Sequence, residues 1–148
     1  MTPKRTFLVA ALCGLAALGA GCGGDDNDTL SYDDTGAEIG KICQTVDFDG
    51  LNGVAKHDAP ILDGLISDFE EGVENVRDLD VDEELKDTRD EFVDNADQQV
   101  ALIKEAKDVA ETGNTKAYRK KLDEGQALSK ESDELASKLG ASACIDNG

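Results

Sequence analysis

Residues 61–79 read ILDGLISDFEEGVENVRDL. The apolar side chains fall at Ile61, Leu62, Leu65, Ile66, Phe69, Val73, Val76 and Leu79. That three-and-four alternation gathers on one side of a helix and is out of reach of a strand. Just before it, Asp58 offers an N-cap, and Ala59-Pro60 puts a proline where the first helical turn tolerates one. A helix is therefore predicted from residue 58 to about residue 79.

The same period continues on both sides. Asp80 and Glu83 have the spacing of a capping box, opening a helix to about Glu111 with Leu85, Phe92, Ala96, Val100, Ile103, Ala106 and Ala110 on its apolar side. Gly113-Asn114-Thr115 ends that helix and caps the next. The latter runs to about Leu139, facing Ala117, Tyr118, Leu122, Leu128, Leu135, Ala136 and Leu139 inward, and Gly140 stops it. Upstream, a short helix over about 37–46 carries Ile39, Ile42 and Cys43 on one face, and DFDGLNG (47–53) breaks it with two glycines. The fold class predicted is all-α: a small antiparallel bundle of three long helices plus one short N-terminal helix. Gly72 and Gly125 fall on or beside the apolar stripes. Close helix packing is the first reading of both, and a ligand crevice is the second. With Ala, Val, Leu and Ile dominating the inward positions, the core is expected to be narrow, with little room for a large buried ligand.

Composition removes several classes of function. The 148 residues carry 33 Asp+Glu against 15 Lys+Arg, a formal net charge of −18. A nucleic-acid phosphate backbone needs a basic surface, so no nucleic-acid partner is expected. With one histidine and no tryptophan, there is no His-rich metal site, and a Ser/His/Asp or Cys/His nucleophile device or an aromatic stacking platform is not advertised. No catalytic residue, metal ligand or cofactor is assigned, and the chain is not read as an enzyme.

The first residues read as an address. Lys4 and Arg5 precede Phe7–Ala20, a charge-free run of 14 residues. A bilayer core of ~30 Å needs about 20 helical residues, so the run fits a secretory signal rather than a membrane span. Ala20, Gly21 and Cys22 follow. This resembles the bacterial lipoprotein signal, whose lipobox reads Leu, small, small, Cys. The last three positions match, while Gly19 stands where the family has Leu, which here is Leu18. The resemblance implies that residues 1–21 are removed and that Cys22 takes a diacylglycerol on sulfur, with palmitate-like acyl chains as the membrane anchor. It places the protein in the cell envelope, on the extracytoplasmic side of a membrane. An ordinary cleaved signal with an incidental cysteine is the alternative.

Four cysteines then sort themselves. Cys13 leaves with the signal and Cys22 is acylated, so Cys43 and Cys144 remain. In an oxidising compartment they most simply pair, with two free thiols as the alternative. Residues 22–36 read as the lipidated cysteine and a disordered acidic tether: GGDDNDTLSYDDTG (23–36) holds five Asp and only Leu30 and Tyr32 as apolar members. The helical domain is then 37–148. The mature chain is similar to a loose group of small actinobacterial lipoproteins, through the lipobox, the acidic tether, Thr112-Gly113-Asn114 before the last helix, and Leu139-Gly140…Cys144. The resemblance implies no particular activity.

Other motifs fall short. Asp78-x-Asp80-x-Asp82 matches the first three ligand positions of a calcium loop, but Glu83 and Arg89 stand where that loop needs Gly and Glu. His57 is expected in the turn before the second helix, as a solvated residue. Charge is unevenly spread: residues 58–97 hold 16 acids and three bases, whereas 101–139 hold eight of each, with Lys116, Arg119, Lys120 and Lys121 together. The acidic stretch reads as a solvated face partly neutralised by its neighbour, or as a docking surface for a basic partner. The expected function is a membrane-anchored interaction module for an envelope protein, with a small-ligand or cation-binding lipoprotein as the alternative.

Overall fold

The structure is a computed structural model that describes residues 29–145. The signal, Cys22 and the first part of the tether lie outside the described residues. Four α-helices follow in order: α1 Tyr32–Cys43, α2 Ala55–Arg77, α3 Glu83–Glu111 and α4 Thr115–Lys138, then a 3-10 turn Ser142–Cys144. Among the described residues there is no strand, only one isolated parallel bridge between Leu30 and Val81. The predicted all-helical class and the Cys43–Cys144 disulfide are both present, with the two Cα atoms 5.3 Å apart. No helix among the described residues is long and apolar enough to cross a membrane.

α3 is the central helix and packs along both α2 and α4, which touch each other little. Arg77 of α2 pairs with Asp97 of α3, Glu70 with Lys104, and Asp63 with Lys107. As numbers rise along α2 they fall along α3. Pairs of this kind on a wet surface are worth about 0–1 kcal/mol each, so they set register more than stability. Stability comes from two clusters of buried side chains. One, at the disulfide end, holds Ile39, Val73, Val76, Phe92, Val100 and Leu139 among others. The other, at the far end, holds Ala55, Leu62, Leu65, Ala106, Ala110 and Tyr118.

Three boundaries differ from expectation. The tether was expected to run to residue 36, yet α1 begins at Tyr32, capped by the Ser31 hydroxyl, which accepts from the Asp34 amide. Leu30 is held upstream of it, donating to the Asp80 carbonyl at 2.7 Å and accepting from the Asp82 amide at 3.0 Å. Thr35 and Gly36 are consequently buried. Gly36 lies so close to the α4 terminus that a Cβ on it would stand 2.5 Å from the Gly140 carbonyl carbon. Gly140 itself has φ +74°, the left-handed conformation that ends a helix cheaply only in glycine.

The Asp80–Glu83 capping box does not form. α3 starts from Asp82 without a side-chain cap: Leu30 pairs with the backbone of Asp80 and Asp82, and the Glu83 carboxylate accepts from Lys86 instead. α2 starts at Ala55 rather than 58, and Pro60 lies inside it, past the first turn. The Asp58 side chain is drawn backward onto the preceding loop instead of capping. The fourth junction is as predicted: Asn114 caps α4 by accepting from the Ala117 amide.

Candidate functional site

A cavity of about 660 Å³, open to solvent along one side, runs between α2 and α4 over the surface of α3. Its α2 wall is Leu62, Leu65, Phe69, Gly72, Val73 and Val76, and its floor includes Phe92, Ala96, Leu102 and Ile103 of α3. The segment after α1 closes part of the mouth. There Phe48 is half exposed and meets Phe69 edge to face, with ring centroids 6.3 Å apart. Cys43 and Cys144 stand at one end of the groove.

The groove exists because of α4. A bundle helix facing two neighbours needs large apolar residues every three or four positions. On α4 that row runs Tyr118, Leu122, then Gly125, Ser129, Ser132, then Leu135 and Ala136, so three small residues interrupt it. All three line the cavity, and the interruption separates the two buried clusters. Volumes of roughly 300–1,000 Å³ with apolar walls and a few polar groups are those of small-molecule sites. The groove is open to solvent and is not a large buried cavity, so it stands beside the narrow core expected from the sequence. Close packing describes Gly72, where a Cβ would lie 3.4 Å from the Ile42 side chain, while at Gly125 the nearest atom beyond its own helix backbone, on Leu102, would be 3.7 Å away. Both glycines nevertheless line the crevice that was their second reading.

Beneath the far end of the groove is a buried carboxylate. Asp58 is fully buried and accepts from the Gly53 amide at 2.8 Å, the Asn52 amide at 3.1 Å and the Tyr118 hydroxyl at 3.0 Å. Gly53, at φ +74°, lets the loop turn its amides inward. His57 contributes Nδ1 at 2.9 Å from Asp58 Oδ1 while its ring stays half exposed; it lies in the first turn of α2 rather than before it. Burial works to raise the Asp58 pKa, but the hydrogen bonds from His57, the two amides and Tyr118 together hold it below the usual carboxylate range. Burial, with the Asp58 carboxylate beside it, pushes the Tyr118 hydroxyl upward. Every acceptor site of the carboxylate is turned to loop, α2 or α4, so the arrangement is a latch and not an acid–base pair aimed at a ligand.

The remaining sequence candidates are dispersed. The α2–α3 turn is instead tied down by Arg89, which stands where the calcium loop needs Glu. Its Nη1 donates to the carbonyls of Arg77 at 2.8 Å and Leu79 at 2.6 Å. Replacing Arg89 with alanine is expected to cost about 1.5–3 kcal/mol, the worth of a charged hydrogen bond, seen as a lower urea midpoint. Among the described residues no group of three His, Cys, Asp or Glu side chains converges as a metal would require. The basic cluster on α4 is committed: Arg119 Nε donates to the Gly53 carbonyl at 2.9 Å, and Lys121 Nζ lies 2.8 Å from both Glu105 and Glu124. Those two carboxylates raise the Lys121 pKa.

Sequence reasoning gave no role to Ser129 and Ser132. The signal available was their place in the heptad-like row between Leu122 and Leu135. Compared with known proteins, the chain matches no family model, no curated sequence and no solved structure.

Proposed function

We propose that this chain is an envelope lipoprotein, anchored through an acylated Cys22 on the extracytoplasmic side of a membrane, whose helical domain binds a small apolar ligand. The observation that carries the binding reading is the α2–α4 groove, apolar on two walls and open along the third. The lipobox resemblance at Ala20-Gly21-Cys22 supports the anchor. The Cys43–Cys144 disulfide supports an oxidising compartment, because such bonds persist outside the reducing cytosol. On this reading the three long helices form an antiparallel bundle with the short one across its end, and there is no catalytic step.

A second reading keeps the protein as an interaction module for an envelope partner. It is favoured by the acid-rich surface of residues 58–97, where exposed Asp68, Glu71, Asp87 and Glu91 lie outside the ion pairs made with α3. Contact with a basic partner there would weaken with salt, since surface charges are screened beyond ~8 Å at physiological ionic strength.

Metabolic labelling with an alkynyl palmitate separates anchor from no anchor. The chain is expected to take the label and sediment with membranes, and Cys22→Ser to lose both, because two or three acyl chains hold far more firmly than one or none. Absence of label on the unaltered chain, or label persisting in Cys22→Ser, would contradict the assignment.

A further inference from the structure

We infer that the α2–α4 groove takes an elongated, electrically neutral amphiphile: one apolar chain with a hydroxyl- or amide-bearing head. This rests on the groove being a ligand site at all, and it names what that site selects.

Two walls of unlike chemistry face each other. On α2 and α3 the groove shows Leu65, Phe69, Val73, Phe92 and Ile103, which offer only apolar surface. On α4 it shows Gln126, Ser129 and Ser132 around the gap at Gly125. Across the floor Gln99 is half-buried, and its Nε2 is spent on Asn95 Oδ1 at 2.7 Å, which leaves the Gln99 oxygen as the acceptor it offers. Behind it the amide nitrogen of Asn95, a residue only 3 % exposed, has no hydrogen-bond partner among the described residues. Hydrogen-bonding capacity is thus unspent beside the groove, and all of it is neutral.

Charge argues the same way. Among the described residues the charged side chains on the walls are Lys121, already held by Glu105 and Glu124, and Asp133, which has a partner of its own. A carboxylate or phosphate head would find no uncommitted positive partner, in a chain whose formal net charge is −18. Burying an unpaired charge is far costlier than burying a hydroxyl that finds a hydrogen bond.

Length suits an extended chain. From Lys121 to Asp133 the α4 wall rises ~18 Å at 1.5 Å per residue, room for a hydrocarbon chain laid along the groove.

The test uses the chain carrying Cys22→Ser, so that it holds no acyl group of its own, and three probes of one chain length: glycerol monododecanoate, dodecanoate and dodecyltrimethylammonium, each below its micellar concentration. Thermal melts are followed by far-UV circular dichroism. The glycerol ester is expected to raise Tm saturably, by roughly 5–10 °C at a hundredfold excess over its Kd, and the two ions to leave it within a degree or so. Adding Ser129→Leu or Ser132→Leu fills the gap; each is expected to melt higher than the parent without ligand and to lose the shift. Binding of either ion as strong as the ester, abolished by Ser129→Leu, would overturn the neutral class and leave the groove reading standing. No saturable shift with any probe, or shifts indifferent to both leucine variants, would overturn the groove reading itself and this inference with it.

Discussion

Asp58→Ala is expected to cost about 3–5 kcal/mol, which is much of the 5–15 kcal/mol that holds a domain of this size folded. The carboxylate is fully buried, and its loss strands three donors: the Asn52 and Gly53 amides and the Tyr118 hydroxyl. Each donor left unpaired in the interior costs about 1–3 kcal/mol. Three elements part at once, because the latch joins the loop before α2 to α2 and to α4. Asp58→Asn keeps the shape and one acceptor, so it should recover part of the loss. Urea midpoints of the two variants against the parent give the comparison.

The same site sets an acid limb on stability. The folded-state pKa of Asp58 lies below its ordinary 3.8, so the folded state binds this proton less readily than the unfolded chain. The contribution is full above the ordinary value and is lost as pH falls through the lower, folded one. Asp58→Asn should flatten the decline in stability below about pH 4. A decline of the same slope in the variant would show that other carboxylates govern it.

Opening the Cys43–Cys144 bond is the second large effect. It joins residues 101 apart in sequence, and a loop of about 100 residues is worth ~4.7 kcal/mol in chain entropy, with 2–5 kcal/mol measured for native bonds in small exported domains. The double variant Cys43→Ala, Cys144→Ala should keep its helical far-UV signal in the cold and melt roughly 10 °C or more below the parent. The bond ties the end of α1 to the 3-10 turn. Both cysteines also stand at one end of the groove, so loss of the bond loosens that end before the α2–α3 contact is touched.

What the sequence made legible follows from how local each cause is. Period alone located the apolar rows of α2, α3 and α4, and Asn114 and Gly140 acted where residue type predicts, because a cap or a left-handed stop is settled within four residues. Tyr32–Gly36 was misread as spacer: its helix is fixed by the Leu30–Val81 bridge and by the approach of Gly36 to Gly140, partners some 50 to 105 residues away. Asp58 has the residue type of an N-cap, and the Asn52 and Gly53 amides together with Tyr118, 60 residues on, draw it to another use. Gly125, beside the stripe of α4, reads as close packing first and a crevice second. Ser129 and Ser132 acquire a role only when the position of α2 is known. The groove is a property of the bulk missing at these three positions, visible only when α2 is laid opposite them.

The central claim is that this space is a binding site. Backbone-amide NMR of the Cys22→Ser chain, titrated with glycerol monododecanoate, tests it most directly. The account predicts saturable shifts confined to residues 121–133 of α4, the facing residues 62–76 of α2 and the loop around Phe48. Shifts spread over the acidic outer faces of α2 and α3, or none at saturating probe, would contradict it.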